Sequence, residues 1–167
     1  MSGIIDTVGS KSGIVGSDIY PAGHVIYFDV INFTSTGAEA DPGTAWVDTS
    51  LSITVPSATV AKCSKIFIVV SNIMVVDPDS YSNCSSRILR SSPSSSEIST
   101  LNRVGDNDNL HVFVNMSFSG TDTSLSTGDH IYKVQYGKGI LIDTYAGNIG
   151  YHGNSGNKTS ITAMGIK

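Results

Sequence analysis

Charged side chains are scarce in this chain of 167 residues: they make up 14% of it, where about a quarter is usual in soluble domains. The formal net charge is -4 and no basic patch occurs, which argues against nucleic acid as a partner. No apolar run approaches the ~18 residues that span a bilayer, and the longest, Ile66 to Val70, has the length of a strand. We therefore expect neither nucleic-acid binding nor membrane insertion.

Cysteine is also rare, since the chain has only Cys63 and Cys84. Each lies beside a predicted strand, so one disulfide bridge and two buried free thiols both stay open. Their spacing is not that of a C-x-x-C motif and no histidine pair accompanies them, so no zinc site is expected. The turn from Asp106 to Asn109 resembles a calcium loop but lacks its sixth-position glycine and twelfth-position glutamate. We expect no metal and no cofactor.

Motifs of enzymes are missing as well. There is no Gly-x-Ser-x-Gly elbow, and Gly137-Lys138-Gly139 is too short for a P-loop. The histidines at 24, 111, 130 and 152 have no partner at an informative spacing. A hydrolase triad is the enzymatic alternative, because its members are distant in sequence, but serine is too abundant here for any one serine to indicate it. We predict that the protein is not an enzyme.

What the chain does have, from residue 20 onward, is the pattern of β-strands. Leu51, Ile53 and Val55 alternate with polar residues, so they share one face of a strand that Pro56 ends. Lys65 to Val76 is apolar on both alternation sets, which predicts a central strand covered on both faces. Further strands are predicted over 23–33, 81–90, 97–104, 110–118, 131–137, 140–145 and 158–167, with a hairpin turn at 137–139 and a loop at 147–157.

About eight strands without an amphipathic helix predict an all-β fold, an antiparallel two-sheet sandwich. The simplest arrangement is a jelly roll, here with an extended N-terminal arm. An immunoglobulin-like sandwich is the alternative, but it favours a core tryptophan near a cysteine pair, and Trp46 precedes both cysteines. We expect residues 1–22 to form a docking arm and residues 23–167 to form the sandwich domain.

The first seventeen residues carry two apolar pairs, Ile4-Ile5 and Ile14-Val15, each held between glycines and hydroxyl residues. The glycines argue against a regular helix or strand, and the segment lacks the n-region and h-region of a signal peptide. Such a segment suits an arm that lies along another surface, with Ile4, Ile5, Ile14 and Val15 as its docking residues. A disordered leader is the alternative.

Aromatic residues near loops are the candidates for binding a receptor. Tyr151, His152 and Asn154 fall in the glycine- and asparagine-rich stretch at 147–157 and form a candidate receptor-contact loop. The alternative, which we favour, is that the tyrosines bury their rings at sheet edges and keep the hydroxyl in water.

A series of short motifs runs along nearly the whole chain. They are the opening segment from Met1 to Ser17, then Tyr20-Pro21-Ala22-Gly23-His24-Val25, Trp46-Val47-Asp48-Thr49 with Leu51 to Val55, Ser64 to Ile68, and Ser160 to Ile166. In this order they resemble small virion structural proteins of tailed phages, especially marine ones. The resemblance implies a non-enzymatic β-sandwich, often trimeric, attached to a capsid or tail through its N-terminal arm. Cys63 departs from the polar turn expected before Lys65.

We therefore predict a bacteriophage structural protein at the particle surface, a homotrimer that acts as a capsid decoration protein or a short tail fibre. Its partners would be further copies of itself and phage capsid or tail proteins. The alternative is a receptor- or glycan-binding adhesin module that recognises a host cell-surface glycan during host attachment. Its working surface would be the loops at 77–81, 106–109 and 151–154.

Overall fold

Eleven strands and one helical turn form the part of the chain that the computed structural model describes, residues 22–33, 45–71, 73–76, 83–104, 112–115, 117–138, 149–151 and 159–167. The helical turn is α1 (Ser57–Val60). The strands are β1 (Val25–Phe33), β2 (Val47–Val55), β3 (Lys65–Ser71), β4 (Ile73–Val76), β5 (Asn83–Ser92), β6 (Ser96–Val104), β7 (Val112–Asn115), β8 (Phe118–Asp122), β9 (His130–Lys138), β10 (Ile149–Tyr151) and β11 (Thr159–Ile166).

Two four-stranded antiparallel sheets form a sandwich, with strand orders β1-β11-β3-β8 and β2-β9-β5-β6. If only these eight strands are counted in chain order, the sheets read 1-8-3-6 and 2-7-4-5, which is the strand order of a jelly roll. The predicted all-β two-sheet sandwich is thus confirmed. The immunoglobulin-like alternative does not have this order.

A three-stranded sheet, β10-β4-β7, extends the first of these sheets. Val70 pairs with Phe118 and Ile73 pairs with Asn115, so the register between β3 and β8 continues unbroken between β4 and β7. The single strand predicted over 65–76 is therefore present as two segments, β3 and β4, in one continuous register.

The core lies between the two four-stranded sheets and is built from alternate residues of their strands. Ile66, Ile68 and Val70 of β3 are fully buried, as the sequence predicts. The predicted shared faces of β2 and β9 are also present in the core: Leu51, Ile53, Val55, Tyr132, Val134 and Tyr136 are all buried.

Two predicted boundaries after residue 136 differ in the structure. β9 continues to Lys138, one residue beyond the predicted strand end, and Gly137 accommodates the Trp46 ring, which would stand 3.1 Å from an added Cβ. Gly139 of the predicted hairpin turn lies outside the described residues. The stretch at 147–157 is not entirely a loop, because Ile149–Tyr151 pairs with β4. The pairing partner, which is distant in sequence, supplies the hydrogen bonds that local composition does not predict.

Candidate functional site

Three adjacent strands of the β1-β11-β3-β8 sheet turn apolar side chains outward. Phe28 of β1 stands opposite Met164 of β11, which stands opposite Phe67 of β3, so these three form a row across the sheet. The next residues along β11, Ala163 and Gly165, are buried on the inner side. The row therefore lies on the outer side, away from the core.

Neighbouring rows extend this apolar surface on both sides. Val30, Thr162 and Val69 form one of them, and Val25 and Ile166 belong to the other. Side chains in directly opposed pairs have Cβ atoms about 5 Å apart, so the rows are continuous. We call these seven residues the outer apolar face: Val25, Phe28, Val30, Phe67, Val69, Met164 and Ile166.

Exposure sets the outer apolar face apart from an ordinary solvated sheet surface. Phe28 is 64% exposed and Val25 is 51% exposed, while the other five are half-buried. An antiparallel sheet commonly has polar residues on the side that faces water, so this apolar surface is the candidate interaction surface. The second cover predicted for the strand at 65–76 is not supplied by the described residues, since Phe67 and Val69 retain exposure.

The outer surface of the β2-β9-β5-β6 sheet has a different chemistry, centred on Arg87. Its Nε donates to Gln135 Oε1 at 2.8 Å, and its Nη1 donates to Glu97 Oε2 at 3.1 Å. The guanidinium lies 4.3 Å from the centroid of the Trp46 ring, a cation–π geometry. This surface presents polar and charged groups that already bind one another.

Asp48 extends that polar network. Lys133 Nζ donates to Asp48 Oδ2 at 2.9 Å, and Gln135 donates to the other carboxylate oxygen. Burial by itself would raise the pKa of Asp48. The hydrogen bonds from Lys133 and Gln135, with the charges of Lys133 and Arg87, outweigh burial and hold that pKa below its usual range.

A buried ion pair lies inside the sandwich. Arg90 Nη1 donates to both carboxylate oxygens of Asp122, at 2.9 and 2.7 Å, and to the Ser124 carbonyl at 2.7 Å. The Tyr132 hydroxyl and the Ser124 N–H also donate to Asp122, at 2.9 and 3.0 Å. Burial, together with the hydrogen bond and charge of Asp122, raises the pKa of Tyr132. The carboxylate is saturated by structural partners, so it has no free lone pair for catalysis.

A cavity of about 570 Å³ opens between α1 and the loop that follows β8, lined by Ser57, Ala58, Val60, Ala61, Cys63, Leu125, Ser126, Thr127 and Gly128. Cys63 is a free thiol that donates to the Thr59 carbonyl at 3.3 Å. Burial raises the pKa of this thiol, which keeps it protonated and weakly nucleophilic. Because this thiol is free, Cys63 does not form the disulfide bridge with Cys84 that the sequence left open.

Within the described ranges, no three histidine, cysteine, aspartate or glutamate side chains come together in a way that could hold a metal ion. No helix within those ranges is long and apolar enough to cross a membrane.

Most of the residues predicted as sites lie outside the described residues, namely Ile4, Ile5, Ile14, Val15, His152 and Asn154. Tyr151 is described and ends β10, where its backbone pairs with Met74. It stands in a strand and not in the predicted loop, because β4 offers it a pairing edge. The outer apolar face was not predicted as a site. The sign of it in the sequence was that residues 65–76 are apolar on both faces of the strand.

No protein-family model matches the chain, and no curated protein matches it. Among solved structures, it is similar to that of infectious bursal disease virus Gx strain, with a TM-score of 0.42 and 8% identity over 84% of this chain and 38% of that chain. It is also similar to the VP2 subviral particle of the same virus, with a TM-score of 0.40 and 10% identity over 85% of this chain and 38% of that chain. The chain thus spans about two fifths of the length of these chains.

Proposed function

We propose that the chain is a non-enzymatic structural protein of a virus particle that joins its neighbours through the outer apolar face. The observation that carries this proposal is the contrast between the two outer surfaces of the sandwich. One bears the paired charges around Arg87, and the other bears the exposed Phe28 with six further apolar residues. A sandwich with one apolar and one polar outer surface suits a subunit whose apolar surface is covered by a neighbour.

The buried polar groups support a structural role and not a catalytic one. Asp122 accepts hydrogen bonds from Arg90, Tyr132 and Ser124 and is almost fully buried. Cys63 is a protonated thiol that already donates to a carbonyl. These groups hold loops and strands together and thereby stabilise the fold.

The finer proposal follows the sequence resemblance. The particle is a tailed phage, the chain is a homotrimeric capsid decoration protein or short tail fibre at the particle surface, and residues 1–22 form its docking arm. Association also shields sheet edges such as β1, which a lone small sandwich exposes. The candidate loops of the glycan-binding alternative, at 77–81, 106–109 and 151–154, lie outside the described residues, apart from the backbone of Tyr151.

Antibody labelling of virus particles tests this function. Particles are purified on a density gradient from an infected culture, and antibodies against the purified chain are applied with gold labels. We expect the chain in the particle band and gold at the particle surface. A chain that stays in the soluble fraction while intact particles band without it would contradict the proposal.

A variant pair links the same experiment to the outer apolar face. Phe28→Thr with Phe67→Thr makes the face polar while it keeps residues of high β-propensity, and it should prevent incorporation into particles. The matched control is Phe28→Leu with Phe67→Leu, which leaves the face apolar and should incorporate normally. Equal incorporation of both pairs would show that the face is not the contact surface.

A further inference from the structure

We infer that the outer apolar face is the docking site of the chain's own N-terminal segment, residues 1–21, with Ile14 and Val15 as the nearest anchors. The inference rests on the proposed function in one respect: it takes this face as a contact surface. It goes further by naming the segment that covers the face.

The start of β1 places this segment at a corner of the outer apolar face. Val25 is both the first residue of β1 and a member of the face. The Gly23 N–H donates to the Lys167 carbonyl at 2.6 Å, and the Lys167 N–H donates to the His24 carbonyl at 3.0 Å. These two hydrogen bonds fix the beginning of β1 to the end of β11, so residues 22–24, which join the segment to β1, lie at the rim of the face.

The number of residues available is sufficient for the apolar pair to reach every row. Val15 precedes His24 by nine positions, and an extended chain over nine positions spans about 30 Å. The four strands of the sheet are about 14 Å across, measured between the outer two. Ile14 and Val15 are therefore within reach of the row of Phe28, Met164 and Phe67, in the same copy or in an adjacent one.

The size of the face suits a short segment. From Val25 to Val30 and from β1 to β3 the face measures roughly 17 Å by 10 Å, which is on the order of 200 Å². A standard protein interface buries about 800 Å² on each partner, so contact with a folded neighbour would extend beyond this face. A segment with small apolar pairs fits the smaller area, and its flanking Gly13 and Gly16 allow the backbone to lie close to the sheet.

Cysteine cross-linking in the full chain tests the docking. In a Cys63→Ser, Cys84→Ser background, Ile14→Cys is combined with Thr162→Cys, which lies within the face between Val30 and Val69. The matched control combines Ile14→Cys with Ser52→Cys, which is exposed on β2. After mild oxidation, mass spectrometry should find the 14–162 bridge at least tenfold more often than the 14–52 bridge.

A bridge within one chain or between two chains supports the docking, and mixing isotopically labelled with unlabelled protein distinguishes the two. Equal yields of the 14–162 and 14–52 bridges would overturn it. If the particle labelling above succeeds while this cross-link fails, only the assignment of the segment is wrong and the proposed function stands.

A second measurement covers the case in which the added cysteines disturb the fold. Ile14→Ser with Val15→Ser should uncover the face and raise the binding of a hydrophobic dye severalfold over the unaltered chain. The fluorescence of Trp46, the single tryptophan, reports the fold independently because its ring packs beside Arg87 on the other sheet. Unchanged dye binding with unchanged Trp46 fluorescence would also overturn the docking.

Discussion

Arg90 Nη1 lies 2.9 and 2.7 Å from the two carboxylate oxygens of Asp122, and their side chains are only 5% and 1% exposed. The same guanidinium donates through Nε to the Ser94 carbonyl at 3.1 Å and through Nη1 to the Ser124 carbonyl at 2.7 Å. One arginine therefore ties the turn after β5 and the loop after β8 to the core. The β5–β6 turn of one sheet and the β8–β9 loop between the two sheets are thus held by a buried charge and not by apolar packing alone.

Removal of the negative partner should be strongly destabilising. Asp122→Asn leaves the Arg90 charge buried without its partner, and we expect a loss of about 3–5 kcal/mol in the free energy of unfolding. The matched control is Glu97→Gln, which makes a comparable change in an exposed ion pair and should cost less than about 1 kcal/mol. Urea unfolding measures both, and equal costs would contradict the importance of the buried pair.

Stability should fall in alkaline solution because of Tyr132. Burial, with the hydrogen bond and charge of Asp122, raises the pKa of this tyrosine above its unfolded value of about 10. The folded protein then retains the phenol proton more strongly than the unfolded chain does, so this stability is present below pH ~10 and is lost as the pH rises further. Thermal unfolding from pH 8 to 11 should show a steeper decline for the unaltered chain than for Tyr132→Phe. Parallel declines would show that Tyr132 is not the group responsible.

The two faces of β3 should respond differently to truncation. Ile68 is fully buried, and Ile68→Ala should cost about 2–5 kcal/mol because it removes a core side chain and leaves a cavity. Val69 is next in the strand but faces outward, and Val69→Ala should cost within about 1 kcal/mol. The difference in melting temperature between the two variants checks the assignment. A loss for Val69→Ala as large as that for Ile68→Ala would contradict it.

Period-two alternation allowed the inner faces of the sandwich to be predicted. Leu51 and Ile53 of β2 and Tyr132 and Val134 of β9 are buried where the pattern places them. The pattern did not predict β10, because its strand character comes from pairing with β4. Pairing between distant segments depends on the whole fold and leaves little trace in local composition.

The outer apolar face could not be predicted from local sequence either. The apolar character of both sides of β3 was visible in the sequence, but the row of Phe28, Met164 and Phe67 depends on the register of three strands. The buried pair was not predicted either. Arg90 ends the strand predicted over 81–90 and Asp122 follows the one predicted over 110–118, and only the fold brings the two together.

A glycine is required where the edges of the two sheets meet. A Cβ on Gly120 of β8 would stand 2.8 Å from Ile98 Cγ2 and 2.8 Å from Ser99 Cβ, both on β6. Gly120→Ala should therefore force the edge strands apart and cost about 1–3 kcal/mol, the usual cost of overpacking. Ser119→Ala, at the exposed neighbouring position, serves as the control and should unfold at nearly the original temperature. A stability of Gly120→Ala equal to that control would show that the edges separate freely.

Self-association should depend on the outer apolar face. We expect the unaltered chain to sediment as a homotrimer, and Phe28→Thr with Phe67→Thr to shift it toward smaller species. Phe28→Leu with Phe67→Leu should sediment like the unaltered chain, because the face remains apolar. Analytical ultracentrifugation over a concentration series measures all three. A stable monomer of the unaltered chain at tens of micromolar, roughly where weak assemblies form, would count against the trimer.

The position of β11 in its sheet has a consequence for the time course of folding. Residues 159–166 are synthesised after the other seven sandwich strands, yet β11 lies between β1 and β3 and pairs with both. Until it emerges from the ribosome, the edge of β3 opposite β8 is unpaired and β1 has no in-sheet neighbour among the described strands. Closure of this sheet is therefore a late, long-range step, and a growing chain that stalls before residue 159 presents open strand edges to aggregation.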